Sequence, residues 1–175
     1  MLSADGKHLY VSEEEYLALT EKLAVSIHLS GWRFDAILCL ARGGLRVGDV
    51  LSRIFGVPLA IMAASSYRAE HGTQQGALML AKNITARSPL SGRVLLADDL
   101  ADTGATLHAV VPRLRESQPA ITELRTAVLW VKASSTFTPD WCAEHLPTSP
   151  WIHQPFERYD SCSPEKLLAQ WKGKI

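Results

Sequence analysis

Residues 94–106, VLLADDLADTGAT, have the types and spacing of a site for a phosphorylated sugar. The segment starts with an apolar run that predicts a buried strand, and the run meets two adjacent carboxylates, Asp98 and Asp99. A Gly/Thr-rich turn follows and opens a helix, which presents backbone N–H groups and hydroxyls to an anion. Two carboxylates beside a phosphate would repel it, so a divalent cation or sugar hydroxyls must lie between them.

An ordinary helix cap is the alternative explanation of this segment. Asp102 or Thr103 could be the N-cap of the helix that follows, which would account for one aspartate and one glycine. A cap does not explain Asp98 and Asp99, because charge at the end of an apolar strand is costly without a partner. The functional interpretation is therefore favoured.

The segment resembles the phosphoribosyl-diphosphate (PRPP) signature of the type I phosphoribosyltransferases. That signature consists of an apolar strand, two acidic residues, two variable residues and then Asp/Glu-Thr-Gly-x-Thr. The resemblance implies that Asp98 and Asp99 face the ribose hydroxyls and Mg²⁺, and that the turn binds the 5′-phosphate. The turn residues are Asp102, Thr103, Gly104, Ala105 and Thr106. In the purine enzymes the acid at the position of Asp102 also lies near purine N7, which makes Asp102 a candidate general base.

Composition limits the partners without identifying one. The 175 residues are expected to form one domain, and their 18 basic and 18 acidic residues cancel. No global field therefore favours nucleic acid or an anionic membrane. No apolar run approaches the roughly 20 residues that span a bilayer, and the first residues lack the apolar region of a signal peptide. We expect a cytoplasmic protein.

The cysteines and histidines carry no recognisable chemistry. The three cysteines form no CxxC pair, and Cys39 lies in the apolar run AILCL, which predicts a buried structural thiol. The six histidines have no metal-ligand spacing. Neither residue type therefore supplies a candidate nucleophile or metal ligand.

Strands that alternate with helical segments predict an α/β domain with a parallel sheet. Residues 12–15 form a capping box that should open a helix to about residue 30. Strands are predicted at 36–40, 57–64, 93–97 and 124–131, and helices at 45–55, from about 103, and at 164–172. Pro112 is expected to end or kink its helix near Val111.

Ligands of such sheets bind beyond the carboxyl ends of the strands, so the strand ends at 41–44 and 98–104 should share one crevice. The first of them, Ala41-Arg42-Gly43-Gly44, resembles the pyrophosphate loop of the purine enzymes. The resemblance implies that Arg42 and Gly43 bind PRPP, and that the Ala41–Arg42 peptide bond is cis. Without the resemblance, the two glycines could form only a tight turn with Arg42 in solvent.

Residues 65–92 have weak periodicity, which is typical of a functional or mobile stretch. Ser66 and Tyr67 stand where many purine members carry a Ser-Tyr pair before the flexible loop that closes over PRPP. The bacterial xanthine-guanine enzymes carry an arginine several residues later, whereas this chain has Gly-Thr-Gln-Gln there. Arg68 and Lys82 are the candidates to replace that arginine.

The base-recognition end of the chain carries two further resemblances. Lys132 follows a strand where the purine enzymes place a lysine that donates to the oxygen at purine C6. The segment WIHQPF resembles their Trp-Ile-x-x-Pro-Trp, which implies that Trp151 and Ile152 bind the base by ring stacking and backbone contacts. The alternatives are a solvated lysine and a core tryptophan. His153 and Phe156 depart from the motif and leave the base undetermined.

The resemblance covers about residues 25–157 and identifies the chain as a member of the type I phosphoribosyltransferases. It implies a central, mainly parallel sheet flanked by helices, a core at about 25–133 and a small hood at about 134–160. The implied reaction, a step of purine salvage, transfers the phosphoribosyl group of PRPP to N9 of hypoxanthine, xanthine or guanine. Members are commonly homodimers or homotetramers. The alternatives are a regulator of this fold that binds without turnover, and an enzyme for another nucleobase.

Overall fold

The computed structural model describes residues 1–68, 75–81 and 83–174, and describes 65–68 and 75–78 by their backbone alone. Twelve strands and α-helices lie in this part of the chain. In chain order they are β1 (His8–Tyr10), α1 (Glu13–Leu29), β2 (Ala36–Ala41), α2 (Gly44–Phe55), β3 (Leu59–Arg68), β4 (Gln75–Leu80), β5 (Gly92–Ala101), α3 (Ala105–Ser117), β6 (Ile121–Val131), β7 (Trp141–His145), β8 (Trp151–His153) and α4 (Pro164–Trp171).

The predicted mainly parallel sheet is confirmed. Six strands lie in the order β4-β3-β2-β5-β6-β7, and each neighbouring pair is parallel except β3 and β4. The central strands β2 and β5 carry continuous apolar runs that are buried on both faces, as expected of strands covered by helices. Their carboxyl ends, where the two glycine-bearing loops begin, therefore lie side by side at one edge of the sheet.

The chain divides into two compact units. The larger comprises residues 19–149 and contains the six-stranded sheet, whereas the smaller combines residues 1–18 with 150–175. In the smaller unit β1 pairs in parallel with β8, with His8 opposite Trp151. Strands of three residues are too short to show a period, which is why sequence patterns did not predict this pair. The single-domain assignment with a hood at 134–160 stays a prediction.

The predicted capping box opens α1. The Ser12 hydroxyl accepts a hydrogen bond from the Glu15 amide at 3.1 Å, and the Glu15 carboxylate accepts one from the Ser12 amide at 2.8 Å. The two side chains thus satisfy two amides that a helix start leaves without intrahelical partners. The short terminal helix is also present as α4, whose first turn is capped by the Ser163 hydroxyl.

Helix α3 runs through Pro112 to Ser117, so it does not end near Val111, while the alternative of a kink there stays a prediction. Proline removes one backbone hydrogen bond from the helix. Four apolar side chains of α3 are nevertheless buried in the core, namely Leu107, Val110, Val111 and Leu114. Their burial contributes more than the lost bond costs, because packing of an apolar face supplies most of the stability of a helix in a protein.

Strand β5 is longer than its apolar run predicts. It continues through Asp98 and Asp99 to Ala101, and Asp98 is paired with Val128 of β6. The pairing with β2 ends at Ala97, so β6 alone holds this end of β5 in extended backbone, which aspartate does not favour by its own propensity. The two carboxylates are therefore carried on a paired strand at the sheet edge and not on a loop.

Cys39 is buried in β2, as its apolar run predicts. Burial raises the pKa of its thiol to about 11, so the sulfur is protonated at neutral pH. This agrees with a structural role for Cys39. No helix in the described ranges is long and apolar enough to cross a membrane.

Candidate active site

The loops that follow β2 and β5 pack against one another. A Cβ atom added to Gly43 would lie 2.3 Å from Asp99 Oδ1, and one added to Gly44 would lie 2.6 Å from the Ala97 carbonyl oxygen. Only glycine permits so close an approach at these two positions. The two strand ends are thus neighbours, as predicted, while their sharing of one ligand crevice stays a prediction.

Asp98 is a buried carboxyl group held by backbone amides. Its side chain is 8% exposed, and it accepts hydrogen bonds from the amides of Asp99, at 3.0 Å, and Gly44. Burial raises the pKa of Asp98 well above its ordinary value, and the neighbouring Asp99 carboxylate raises it further. Two carboxyl groups so close together favour a cation or hydroxyl donors beside them.

The turn after β5 presents backbone amides at the start of α3. Gly104 has a left-handed φ of 83° and is the N-cap residue, with no side-chain cap. The amides of Thr103, Gly104 and Thr106 donate to no acceptor within the described ranges, while the Ala105 amide donates to the Thr103 hydroxyl at 3.3 Å. Amides exposed at a helix start form an anion site. The interpretation of Asp102 or Thr103 as the N-cap is therefore wrong.

Lys132 and Asp102 form an ion pair between the ends of β6 and β5. The Lys132 Nζ lies 3.2 Å from Asp102 Oδ1, with the lysine side chain 7% exposed and the aspartate 55% exposed. The Lys132 amide also donates to the Ala101 carbonyl at 3.1 Å. The solvated-lysine alternative is thereby excluded. The pair presents a hydrogen-bond donor and a proton acceptor side by side beside the anion-binding turn.

A family model described as a phosphoribosyl transferase domain matches residues 11–161. The chain belongs to the phosphoribosyltransferase family. The resemblance found in the sequence and the type I fold are thus both confirmed.

Solved structures agree with this phosphoribosyltransferase assignment. The purine phosphoribosyltransferase from Pyrococcus horikoshii is 27% identical, with a TM-score of 0.69 over 86% of this chain and 94% of that one. The xanthine-guanine-hypoxanthine phosphoribosyltransferase from Helicobacter pylori is 26% identical, with a TM-score of 0.68 over 83% and 91%. A Neisseria gonorrhoeae protein solved with bound ppGpp is 16% identical, with a TM-score of 0.68 over 97% and 98%, and shares the fold.

The predicted cis peptide bond in the loop after β2 is present. The Ala41–Arg42 peptide bond of this phosphoribosyltransferase is cis, as the resemblance implies. Arg42 is exposed, so its guanidinium is accessible to a ligand. The roles of Arg42 and Gly43 in binding PRPP stay predictions.

The acidic pair fits Mg²⁺ in a site that substrate would complete. The described residues contain no group of three or more histidine, cysteine, aspartate or glutamate side chains that could hold a metal. Asp98 and Asp99 nevertheless supply the hard oxygen ligands that Mg²⁺ prefers, and this ion is usually bound by one or two carboxylates together with water and substrate phosphates. The donor set is therefore suitable for an ion shared with a diphosphate.

The predicted base-binding residues Trp151 and Ile152 lie in the smaller unit. Trp151 is 47% exposed, so the core-tryptophan alternative is wrong, whereas Ile152 is buried. The neighbouring His153 stacks on the Tyr10 ring at 4.4 Å, and its Nε2 lies 2.9 Å from His8 Nδ1. These contacts orient His153 within β1 and β8. The roles of Trp151 and Ile152 toward a base stay predictions.

The loop residues that the sequence associates with closure over PRPP are not tested. The side chains of Ser66, Tyr67 and Arg68, and the whole of Lys82, lie outside the described residues. Their proposed contacts therefore stay predictions.

Residues 133–137, which follow β6, contact the turn at 102–106, and sequence patterns did not identify them. The Ser134 hydroxyl donates to the Asp102 carbonyl at 3.0 Å, and the Thr136 hydroxyl donates to the Thr103 carbonyl at 3.1 Å. The available signal was the run Ser-Ser-Thr at 134–136, which Ala133 separates from Lys132. It was not decisive, because hydroxyl residues are common in loops.

We expect Gly104→Ala to lower the free energy of unfolding by about 2–4 kcal/mol, since it combines left-handed backbone strain with overpacking. An added Cβ would lie 2.5 Å from Phe137 Cβ and 2.8 Å from the Phe137 amide nitrogen. Urea denaturation measures the loss. Gly56→Ala is the matched control, because Gly56 has a φ of 65° and nothing within 4 Å of an added Cβ. Equal losses in the two variants would contradict a close contact at Gly104.

Proposed function

We propose that the chain transfers the 5-phosphoribosyl group of PRPP to N9 of a 6-oxopurine and releases pyrophosphate. The observation that carries the proposal is the ion pair of Lys132 and Asp102 beside the phosphate-binding turn. A 6-oxopurine presents the O6 acceptor next to N7 on one edge. An ammonium donates and never accepts, so Lys132 matches O6, while Asp102 takes a proton from the ring.

The same pair argues against a 6-aminopurine. The amino group of adenine is a donor, and it would face the ammonium of Lys132 without an acceptor between them. Because Lys132 is buried, water is poorly placed to relieve that mismatch. The name of the Helicobacter pylori relative gives xanthine, guanine and hypoxanthine, which are all 6-oxopurines and support this choice.

The PRPP half of the proposal uses the acidic pair and the two loops. We assign the 5′-phosphate to the turn at 102–106, the ribose hydroxyls to Asp98 and Asp99, and the diphosphate to Arg42 and Gly43. Mg²⁺ held by the two carboxylates would neutralise charge on the diphosphate leaving group. The chain's own residues bind and orient PRPP, so most of their contribution is positional and electrostatic.

The remaining parts of the proposal concern the base and the assembly. Trp151 would stack on the purine, and backbone groups at Ile152 would contact its edge. A homodimer or homotetramer is proposed because members of the family commonly form them. Light scattering of the purified protein, which measures its molar mass in solution, tests this proposal.

Pyrophosphate release tests the proposed reaction. The protein is incubated with PRPP, Mg²⁺ and each of hypoxanthine, xanthine, guanine and adenine, with and without a metal chelator. We expect release with at least one 6-oxopurine, little with adenine, and none under chelation. Binding of PRPP without release for any base would instead indicate a regulator of the same fold. Release with adenine alone would indicate an enzyme for another base.

We expect Asp102→Asn to lower kcat by about 100-fold with little change in KM for PRPP, because the amide cannot accept the purine proton. Steady-state kinetics with hypoxanthine measures both constants. Glu144→Gln, which neutralises an exposed carboxylate at the end of β7, is the control and should resemble the wild type. Nearly unchanged turnover in Asp102→Asn would remove Asp102 from the general-base role.

A further inference from the structure

We propose that Ser134 and Thr136 are positioning residues that orient the amides of Thr103 and Gly104 toward the phosphate of the substrate. The proposal rests on the proposed function, since it takes the 5′-phosphate of PRPP as the anion at these amides. Neither residue belongs to the PRPP signature, and both lie about thirty positions further along the chain, at 32 and 33 residues from their partners.

Direct contacts hold two successive carbonyl groups of the phosphate-binding turn. The Asp102 carbonyl accepts from the Ser134 hydroxyl at 3.0 Å. The Thr103 carbonyl accepts from both the hydroxyl and the amide of Thr136, each at 3.1 Å. Both carbonyls are therefore fixed on the side of the turn that faces residues 133–137.

Because peptide units are planar, these contacts to the carbonyl groups also fix the directions of the Thr103 and Gly104 N–H groups. The carbonyl of Asp102 and the amide of Thr103 belong to one planar unit, as do the carbonyl of Thr103 and the amide of Gly104. Both units are trans, so the N–H of each points away from its carbonyl. Holding the carbonyls on Ser134 and Thr136 therefore turns both N–H groups to the opposite side of the turn. A hydrogen bond to a carbonyl also polarises its peptide unit and strengthens the N–H as a donor.

Each hydroxyl is itself held by a second hydrogen bond. Ser149 donates its hydroxyl to Ser134 Oγ at 2.9 Å and accepts from the Ser134 amide at 3.0 Å. The Thr136 hydroxyl lies 3.2 Å from His108 Nε2. Since the single O–H of Thr136 donates to the Thr103 carbonyl, His108 must donate from Nε2. Two short chains of hydrogen bonds thus end on the two carbonyls and fix the direction of each hydroxyl.

The packing around the turn favours positioning over a general contribution to stability. Ser134, Thr136 and Ser149 are all exposed, so loss of a hydroxyl leaves no polar group buried without a partner. Phe137 lies against Gly104 at the distance that excludes a side chain there, which holds the segment against the turn independently of the hydroxyls. Removal of the hydroxyls should therefore loosen the two peptide units without unfolding the chain.

The test compares three double variants of the full chain. Ser134→Ala with Thr136→Val removes both hydroxyls. Ser134→Thr with Thr136→Ser exchanges the two residue types and keeps both hydroxyls. Ser117→Ala with Thr138→Val makes the same losses at exposed positions whose hydroxyls do not contact the turn within the described ranges.

Two readouts separate this inference from the proposed function. Calorimetry with ribose 5-phosphate and PRPP should give Kd values about tenfold higher in the hydroxyl-free variant and near wild type in the other two. A loss of this size is usual when a residue that orients a ligand-binding group, without touching the ligand, is removed. NMR order parameters of the Thr103 and Gly104 amides, without ligand, should fall in the hydroxyl-free variant only. KM for PRPP should rise with Kd while KM for the base stays constant.

Unchanged order parameters, or equal Kd values in the hydroxyl-free variant and its control, would overturn the inference. Failure of the wild type to bind ribose 5-phosphate would overturn it as well. If the variants differ as expected but the wild type turns over no base, the proposed reaction fails while the positioning role of Ser134 and Thr136 stands.

Discussion

Lys132→Met is expected to lower kcat/KM for a 6-oxopurine by about 10³-fold, because it removes the buried charge that we propose stabilises the transition state. As the base loses its proton, negative charge spreads to O6, and the Lys132 ammonium is the proposed donor there. The side chain is 7% exposed, so little water is available to replace it. KM for PRPP should change little, since the phosphate-binding amides do not involve this side chain.

Methionine is chosen because it keeps an unbranched apolar stem and deletes the charge. Asp102, the partner of Lys132, is 55% exposed and stays hydrated when the lysine is lost. Removal of one partner of an ion pair is strongly destabilising when the other charge is left buried, which is not the case for Asp102. Loss of activity should therefore occur without loss of folding free energy, which urea denaturation checks.

The relative values of kcat/KM for different bases distinguish a loss of base recognition from a general loss of activity. Kinetics with hypoxanthine, guanine and adenine should show that Lys132→Met loses most of its preference for the 6-oxo bases over adenine. Lys22→Met, which removes an exposed lysine of α1, is the control and should keep that preference. If Lys132→Met discriminated against adenine as strongly as the wild type, Lys132 would not be the group that reads the base.

Asp98→Asn is expected to lower turnover by about 10²–10³-fold, because it removes the charge that we propose faces the ribose and Mg²⁺. The same substitution should raise the free energy of unfolding at neutral pH by about 1–3 kcal/mol, the usual cost of a poorly compensated buried polar group. Asparagine keeps an acceptor for the amides of Asp99 and Gly44 and removes repulsion from the Asp99 carboxylate. Higher stability with lower activity is the signature of a site shaped for function.

The stabilisation should depend on pH in one direction. Burial and the neighbouring Asp99 carboxylate raise the folded-state pKa of Asp98 above its unfolded value. The folded chain thus favours the protonated carboxyl, whose contribution to stability is complete below the unfolded pKa and is lost as pH rises through the folded pKa. Asparagine does not titrate. The variant and the wild type should therefore be similar in acid, and the advantage of the variant should grow as pH rises.

Urea titrations at several pH values, without Mg²⁺ or PRPP, measure that difference. Asp49→Asn is the control, since Asp49 is exposed and forms an ion pair with Arg53 four residues later in α2. Its removal should change the free energy of unfolding little at any of these pH values. A constant difference between Asp98→Asn and wild type across pH, or lower stability of the variant, would contradict the raised pKa.

The sequence by itself determined the parts of the fold that depend on local pattern. The apolar run that becomes β2 and the capping box at Ser12 were predicted close to their observed bounds. Both depend on residues that lie within a few positions of each other. The PRPP signature is local in the same sense, since its acids and its turn occupy one strand end. The periodicity of apolar residues and the capping of helices depend on residues that are close in sequence, so both can be predicted from the sequence alone.

Tertiary structure alone decided the features that join distant segments. Burial on the core keeps α3 helical through Pro112, and the pairing of β5 with β6 brings Lys132 to Asp102. The contacts of Ser134 and Thr136 with the phosphate-binding turn connect residues 32 and 33 positions apart. Such contacts depend on which strands become neighbours, and strand order is a property of the whole packed sheet that no short window contains. The sequence therefore identified the groups that would bind a sugar phosphate, and the packed sheet decided how they are held and which distant side chains join them.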